Sequence, residues 1–426
     1  MYTRRILAQL PRRRLRASRI LLSSLLLWFL FYTYCRTLLW RDPHSAFFQD
    51  SHVYDLDYSL HRERESWHFI ARHNAASNPP KYTEAGERRP SSDTYFEASV
   101  GSLLEDLSEK ERAVLYLTVL FADTDPAVHP SWGLTWVDRL VDEAGGYNVS
   151  EEQLEDLRML EKERNFYKKG VFDYIYALRA CQEVNARYTI VFEDDIILAA
   201  GWFAKTLKSM ASISQDHGRG QDQATKKPWL YLRLFYTETA LGWNDSNAAY
   251  RHMPIIFLAL MASTFCLLLL LRRSRFPLLH LYLDTLSIAV ISLLCVPAFM
   301  ALIYMVGKYS LMPLRGVVEM NKYGCCTQGL LFPADQVDGL IAYLEARGHG
   351  QTDSLIEEYA NSNGLNRYAV APPVLQHVGL KSSRDNTDMN TQSTWAFWFE
   401  ANEPGVLRRE HAELLEDEDV QELLRA

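Results

Sequence analysis

The sequence predicts an α/β layered domain with a mostly parallel sheet, interrupted by a two-helix membrane hairpin and preceded by a signal-anchor helix. Three observations carry this expectation. Near-continuous apolar runs, suited to strands covered on both faces, alternate with stretches of helical periodicity. Two long runs without charge, Met253 to Leu271 and Thr285 to Val306, are joined by the short basic turn Arg272-Arg273-Ser274-Arg275-Phe276-Pro277. An arginine-rich tail, with seven Arg and no acid between Met1 and Arg19, leads into a further apolar run.

At 426 residues the chain exceeds what one hydrophobic core usually organises. The net charge of −8 hides an asymmetry, because the tail is basic and the body is more acidic than the average. That distribution argues against a nucleic-acid partner, which would call for basic residues spread over the folded face. A hydrophobic content of 48% excludes a wholly disordered chain, and six Cys are too few for a disulfide scaffold.

The segment 1–19 reads as a cytosolic tail and 20–40 as an uncleaved signal anchor. Tyr32, Tyr34, Trp40 and Arg41 follow the apolar run where a cleavable signal would carry small residues. The span is short, and Arg36 must snorkel toward the headgroups. Met253 to Leu271 and Thr285 to Val306 are each long enough to cross as a helix, giving a hairpin over 253–306 with a cytosolic turn at 272–277. The positive-inside rule then puts 41–252 and 307–426 on the luminal side. The sequons Asn148-Val149-Ser150 and Asn244-Asp245-Ser246 both fall there, as glycosylation requires. Of the luminal thiols, a ring between neighbours Cys325 and Cys326 would be strained, so Cys181 is expected to pair with Cys325 or Cys326.

Within the luminal part, 41–112 is polar and reads as a stem with some helix around Tyr58 to Arg72. Ala113 to Phe121 is the first buried strand. Ser150, with Gln153 three residues on, is a capping-box start to a helix, and Val171 to Val184 is another. Tyr188 to Phe192 and Trp229 to Tyr236 are strands, separated by a helix over Gly201 to Ile213. After the hairpin come a strand at Gly329 to Phe332 and helices over Ala334 to Ala346 and Asp353 to Ala360. Tyr368 to Val378 is extended and broken by Pro372-Pro373. The folded domain is thus expected over 113–252 and 307–400, with 401–426 an acidic surface tail.

The sharpest chemical feature is Glu193-Asp194-Asp195 at the carboxyl end of an apolar strand, the edge of an α/β sheet where ligands collect. Residues two apart on extended backbone share a side, so Glu193 and Asp195 can converge while Asp194 faces away. Such hard oxygen ligands suit Mn²⁺ or Mg²⁺, which in turn neutralises a diphosphate. A solvated acidic turn is the plain alternative. A second cluster is Pro372-Pro373-Val374-Leu375-Gln376-His377-Val378-Gly379, followed by Lys381-Ser382-Ser383, where apolar neighbours and Gly379 can hold His377 rigidly.

An apolar strand running into Glu-Asp-Asp, then a late Gln-His-Val-Gly segment with Ser-Ser beyond it, resembles a Golgi glycosyltransferase of the GT-A fold. With the inserted membrane hairpin, the chain most resembles the post-GPI-attachment N-acetylgalactosamine transferase family, over roughly Arg112 to Ser383. The branching N-acetylglucosaminyltransferases of the type-IV class share the late Gln-His segment but lack the hairpin. The resemblance implies a GT-A-like domain and UDP-GalNAc as donor, with Mn²⁺ or Mg²⁺ as metal. The acceptor would be the first mannose of a GPI glycan, modified with inversion in the Golgi membrane. It implies Glu193, Asp194 and Asp195 as donor-diphosphate residues, with Glu193, Asp195 and His377 as metal ligands. Lys381 would contact phosphate, and Lys168 or its neighbour Lys169 the nucleotide. Asp353 would be the general base, with Glu357 and Glu358 next in line on the same helix. The rival readings are another GT-A transferase, such as an N-acetylglucosaminyltransferase acting on a membrane-near glycan, and a noncatalytic membrane scaffold.

Overall fold

A computed structural model describes residues 2–73, 95–219, 228–273, 282–321, 326–379 and 394–425. The chain divides into two compact units, Met1–Tyr54 with Glu238–Pro313, and Asp55–Thr237 with Leu314–Ala426.

The first unit is helical. One helix runs from Tyr2 to Leu38, so it begins inside the basic tail rather than at Ile20. Three stretches are long and apolar enough to cross a bilayer: Arg14–Leu38, Met253–Arg272 and Thr285–Met305. The chain is a membrane protein. The third stretch contains a π-helical turn at Ile291–Cys295 just before Pro297, where the missing N–H and the ring would otherwise break the ladder. Asp284 caps it by accepting from the Leu286 and Ser287 N–H groups. Several polar groups along the spans are satisfied internally: Trp28 Nε1 donates to the Ala298 carbonyl at 3.1 Å, and Thr33 and Thr37 bond back one turn. Past the third span, Gly307 takes φ +92°, and a Cβ there would sit 2.5 Å from Asp42 Oδ2, which accepts from Ser310 N–H.

The second unit is mixed α/β. Its strands are β1 (Thr118–Leu120), β2 (Glu143–Gly145), β3 (Tyr188–Phe192), β4 (Ile196–Leu198), β5 (Trp229–Arg233), β6 (Gly316–Glu319), β7 (Gly329–Pro333), β8 (Asn366–Ala371) and β9 (Leu375–His377). The principal sheet has the order β3-β7-β5-β8-β6, while β1–β2 and β4–β9 form separate pairs. The expectation of a mostly parallel sheet is corrected here. Among the described residues of the principal sheet only β5–β8 is parallel, and β3–β7, β7–β5 and β8–β6 are antiparallel. The cause is specific. β3, β5 and β8, the strands that alternate with helices, do run in one direction; β6 and β7, which follow the hairpin insertion, thread back against them.

The sheet is buried on both sides, as its apolar strands require. Alternate residues of β7 separate cleanly: Leu330 and Phe332 pack with Val171, Leu178, Leu340 and Leu355, whereas Leu331 packs with Ile197, Trp202 and Val370. A register shift between Trp229 and Tyr231 puts both Leu230 and Tyr231 in the first cluster.

Several sequence expectations shift. The first strand shrinks to Thr118–Leu120 because a Ser108–Glu111 capping box starts a helix over Glu109–Ala113. The Ser150 helix spans Glu151–Lys162 with its capping box formed, and the next runs Phe166–Glu183 from an Asn165 cap. Helices Ala334–Arg347 and Thr352–Asn363 each end on a left-handed glycine, Gly348 and Gly364.

The segment read as a stem carries the helix expected around Tyr58 to Arg72, observed over Tyr58–His73, and a second, Tyr95–Leu104, packed against it. They approach so closely that a Cβ on Gly101 would meet Ser66 Cβ at 2.5 Å. Buried Arg62 ties them together by pairing with Glu65, Glu105 and Asp106. Nor is 401–426 a free surface tail. Leu407, Val420 and Leu424 join the core, and Lys208 pairs with Asp417 and Asp419.

Candidate functional site

The site assembles where β3 ends. Phe192 stands opposite Gly329 in the antiparallel pair, and Glu193 N–H donates to the Gln328 carbonyl at 3.4 Å. The chain turns through Glu193-Asp194-Asp195 and re-enters a ladder as β4, which pairs antiparallel with β9 so that Ile196 faces His377. Val378 N–H donates to the Asp195 carbonyl at 2.8 Å. The acidic turn and the late His segment, distant in sequence, are therefore bound by one short sheet.

The other side of the turn is held by a helix. Ser99, on Tyr95–Leu104, shares its one hydroxyl proton between the Asp194 and Ile196 carbonyls and accepts from Ile196 N–H at 3.2 Å. Ser102 accepts from Leu198 N–H at 3.1 Å. Two hydroxyls thus do for the free edge of β4 what a neighbouring strand would do. Sequence reading missed both, because they lie in the stretch assigned to the stem.

At the centre, His377 Nε2 lies 3.0 Å from Asp195 Oδ2. Gly379 closes over the pair: a Cβ there would come within 2.1 Å of Asp195 Oδ2 and 3.1 Å of His377 Nε2. His377 is kept in place by its neighbour. The side chain of buried Gln376 donates to the Ala396 carbonyl and to Glu400 at 3.1 Å each, and accepts from Ala396 N–H at 2.9 Å. Glu400 in turn accepts from the Ser59 N–H and hydroxyl.

The electrostatics follow from crowding. Burial, reinforced by the Asp195 charge, pushes the Glu193 carboxyl up to about 7, although Thr327 donates to its Oε1 at 2.5 Å. Burial alone would lower His377, but the hydrogen bond and charge of Asp195, with Glu193 behind, outweigh it and raise the imidazole above its ordinary value. Asp194 is exposed at the bend of the turn, and desolvation of its carboxyl with the neighbouring Asp195 charge raises it above its ordinary value.

One broad cleft of the second unit is lined by Glu193, Asp194, Asp195, His377, Gly379 and Asp353. Asp353 is half-buried at the second residue of its helix, where Gln351 and not Asp353 occupies the cap position. Its Oδ2 accepts from Cys326 N–H at 3.2 Å and its Oδ1 from Ser354 N–H at 2.7 Å. The next carboxylates on that helix are committed elsewhere. Glu357 bridges buried Arg233 and Arg367, and Glu358 pairs with Arg347.

The remaining expected residues divide. Lys381 and Cys325 lie outside the described residues. Lys168 is exposed and does not line the cleft, whereas Lys169 is buried and donates to the Ala122 carbonyl at 2.6 Å and the Tyr147 hydroxyl at 2.7 Å. No Cys181–Cys326 bridge is formed: Cys181 sits in the last turn of its helix, and Cys326 N–H donates to Asp353. Asn148 is exposed on the rim of the cleft, and Asn244 in the first unit accepts from its own sequon Ser246.

Among the described residues no group of three His, Cys, Asp or Glu stands assembled to hold a metal. A narrower fit does exist. Asp195 Oδ1 is buried without a hydrogen-bond partner, while its sister Oδ2 lies beside the His377 imidazole under Gly379. An acceptor in that position is costly unless a cation or donor meets it. Asp195 and His377 therefore fit a hard divalent cation that takes its other ligands from a bound molecule.

A carboxylate–imidazole pair thus lies in the cleft at the end of a buried strand, and a second carboxylate at a helix N-terminus lines the same cleft. No curated protein and no solved structure matches the chain. A family model described as GPI-N-acetylgalactosamine transferase PGAP4 matches residues 85–376, a span that contains the acidic turn, the membrane hairpin and Gln376. The chain belongs to that family of glycosyltransferases.

Proposed function

We propose that the protein transfers N-acetylgalactosamine from UDP-GalNAc to the first mannose of GPI glycans, by single displacement with inversion at the anomeric carbon. The observation that carries the site assignment is the Asp195–His377 contact of 3.0 Å, with Asp195 Oδ1 left without a partner. Asp195 and His377 would hold Mn²⁺ or Mg²⁺, with the Glu193 carboxyl beside them as a further oxygen ligand. A divalent cation bound there supplies positive charge against the donor diphosphate. The missing side chain at Gly379 is what makes room for Asp195 Oδ2 beside His377.

Asp353 takes the proton of the mannose hydroxyl as that oxygen bonds to the anomeric carbon. The bond from the anomeric carbon to the diphosphate oxygen breaks, and UDP leaves with the electron pair. Cys326 N–H and Ser354 N–H orient the Asp353 carboxylate for this task. The engagement of Glu357 and Glu358 in ion pairs supports Asp353 over either of them.

A luminal catalytic unit in the Golgi membrane, with a cytosolic N-terminus, accords with the charge of the first unit. Arg14, Arg16, Arg19, Arg272 and Arg273 gather at one end of its spans. The test is donor profiling with purified protein and a GPI acceptor. Transfer should occur from UDP-GalNAc with Mn²⁺ and not with chelator; equal transfer from UDP-N-acetylglucosamine would point to a different transferase.

A further inference from the structure

The cleft of the second unit is bounded by two strand edges. Its lining takes in every residue from Arg112 to Asp123 on one side and from Glu183 to Ile196 on the other. Side chains of a strand alternate between faces, so an unbroken run of lining residues means that the backbone edge faces the cleft. Both β1 and β3 therefore border it edge-on.

The existing ladders show which groups lie along those edges. Glu143 N–H donates to the Leu117 carbonyl and Phe121 N–H to the Gly145 carbonyl, so 117, 119 and 121 turn their backbone groups toward β2. Thr118 and Leu120 turn theirs into the cleft. On β3, Ala334 N–H donates to the Arg187 carbonyl and Glu193 N–H to the Gln328 carbonyl, which leaves Thr189 and Val191 bonded to β7. Tyr188, Ile190 and Phe192 turn theirs into the cleft, and no hydrogen bond to those groups is formed among the described residues.

The two edges match. Both strands pack on the helix Phe166–Glu183. Their carboxyl ends meet the helix Tyr95–Leu104, where Phe96 lies 5.5 Å from Phe121 between ring centroids and Ser99 bonds the Asp194 carbonyl. The strands thus run in the same direction. Leu117 and Val119 already share a hydrophobic cluster with Tyr188, Ile190 and Phe192, whereas Val191 packs against the other cluster. Aligning the carboxyl ends, Phe121 opposite Phe192, places Thr118 opposite Thr189 and Leu120 opposite Val191. This register keeps Val119 and Ile190 on one face and sets the free groups of each edge against those of the other; a slip of one residue loses both.

We propose that β1 docks on β3 as its parallel neighbour, joining the β1–β2 pair to the principal sheet and closing the cleft along the strands. Thr118 N–H then donates to the Tyr188 carbonyl and Leu120 N–H to the Ile190 carbonyl. Ile190 N–H and Phe192 N–H donate to the Thr118 and Leu120 carbonyls in return. Closure satisfies two open edges and covers Leu115, Leu117 and Ile190, which are only half-buried. The acidic turn stays at the open end, beyond the strand termini. The pairing is a property of the chain alone and stands apart from the transferase reading.

Residue-resolved hydrogen exchange on the full-length protein in lipid nanodiscs tests it. The Ile190 and Phe192 amides should exchange at least about ten-fold more slowly than free peptide. Thr118→Pro removes an outward N–H and spares the bonds to β2. It should return both amides to the free rate while Thr189 and Val191, bonded to β7, stay slow. Should Thr118→Pro fail to fold, Leu120→Cys with Val191→Cys gives the second reading. Mild oxidation should bridge that pair and not Leu120→Cys with Phe192→Cys, whose side chains fall on opposite faces. Free exchange at Ile190 and Phe192 in the wild type, equal protection in Thr118→Pro, or equal bridging of the two cysteine pairs would overturn the closure. Protection that grows with protein concentration would overturn it as well, by giving the edge to a second copy of the chain.

Discussion

Asp195 and His377 lie 182 residues apart in the chain, yet His377 Nε2 stands 3.0 Å from Asp195 Oδ2. The contact is enforced by backbone pairing, since Ile196 opposite His377 and Val378 N–H on the Asp195 carbonyl leave the two side chains no other register. A side-chain pair fixed by a ladder loses little entropy when it receives a ligand.

Gly379 offers a way to disturb this pair without altering its charge. A methyl group there would intrude to 2.1 Å from Asp195 Oδ2, so the carboxylate must move. Gly379→Ala should weaken Mn²⁺-dependent UDP binding at least about ten-fold, the equivalent of about 1.4 kcal/mol. Calorimetric titration of UDP with and without Mn²⁺ measures it, and unchanged affinity would separate Gly379 from the site.

Glu193 predicts a pH dependence of stability in the metal-free protein. Its carboxyl is raised to about 7 from a free value of 4.5, so the folded state holds the proton more tightly than the unfolded chain. That stabilising contribution is complete below the free value and is lost as pH rises through the folded value. Glu193→Gln mimics the protonated form and cannot lose it. Melts at about pH 5.5 and about pH 8 should show the wild type falling relative to the variant by roughly 1–3 kcal/mol. Parallel curves would mean that Glu193 is ionised throughout.

Ser99→Ala strips the acidic turn of its helical support. The Ile196 N–H and carbonyl lose a partner in a buried setting, at a cost of roughly 1–3 kcal/mol. Thermal melting should register that loss, and UDP affinity should fall with it because the turn carries Asp195. A drop in melting temperature with full UDP affinity would restrict Ser99 to a structural role.

Asp353→Asn separates binding from chemistry. Asn keeps the size of the side chain and one acceptor oxygen, enough for one of the Cys326 and Ser354 N–H groups, but cannot take a proton. UDP affinity and melting temperature should hold, while transfer falls by roughly two to four orders of magnitude. Both readings come from one preparation, and near-normal transfer would remove Asp353 as base.

The sequence made some of this legible and left the rest hidden for physical reasons. Apolar runs announced β3, β5 and β7, and the abrupt change from Phe192 to three carboxylates marked the site. The two uncharged runs around the basic turn marked the hairpin. Strand direction was not readable, because alternation with helices governs β3, β5 and β8 but says nothing of β6 and β7, which enter against them. Ser99 left no signature, since a hydroxyl bonded to backbone has neither periodicity nor charge. Glu400 looked like the start of an acidic tail and is instead a buried acceptor for Ser59 and Gln376. Two adjacent lysines could not be told apart, and burial of Lys169 among Tyr147 and Asp173 settles which one turns inward.

The central claim is that Asp195 and His377 hold the cation that receives the donor diphosphate of a GPI N-acetylgalactosamine transfer. The most direct measurement is transfer from UDP-GalNAc to a GPI acceptor by purified wild type and Asp195→Ala, with Mn²⁺ binding followed on the same samples. Asp195→Ala should keep its fold and lose both Mn²⁺ binding and transfer, and His377→Ala should be impaired in the same order but less severely. Normal Mn²⁺-dependent transfer by folded Asp195→Ala would contradict the account.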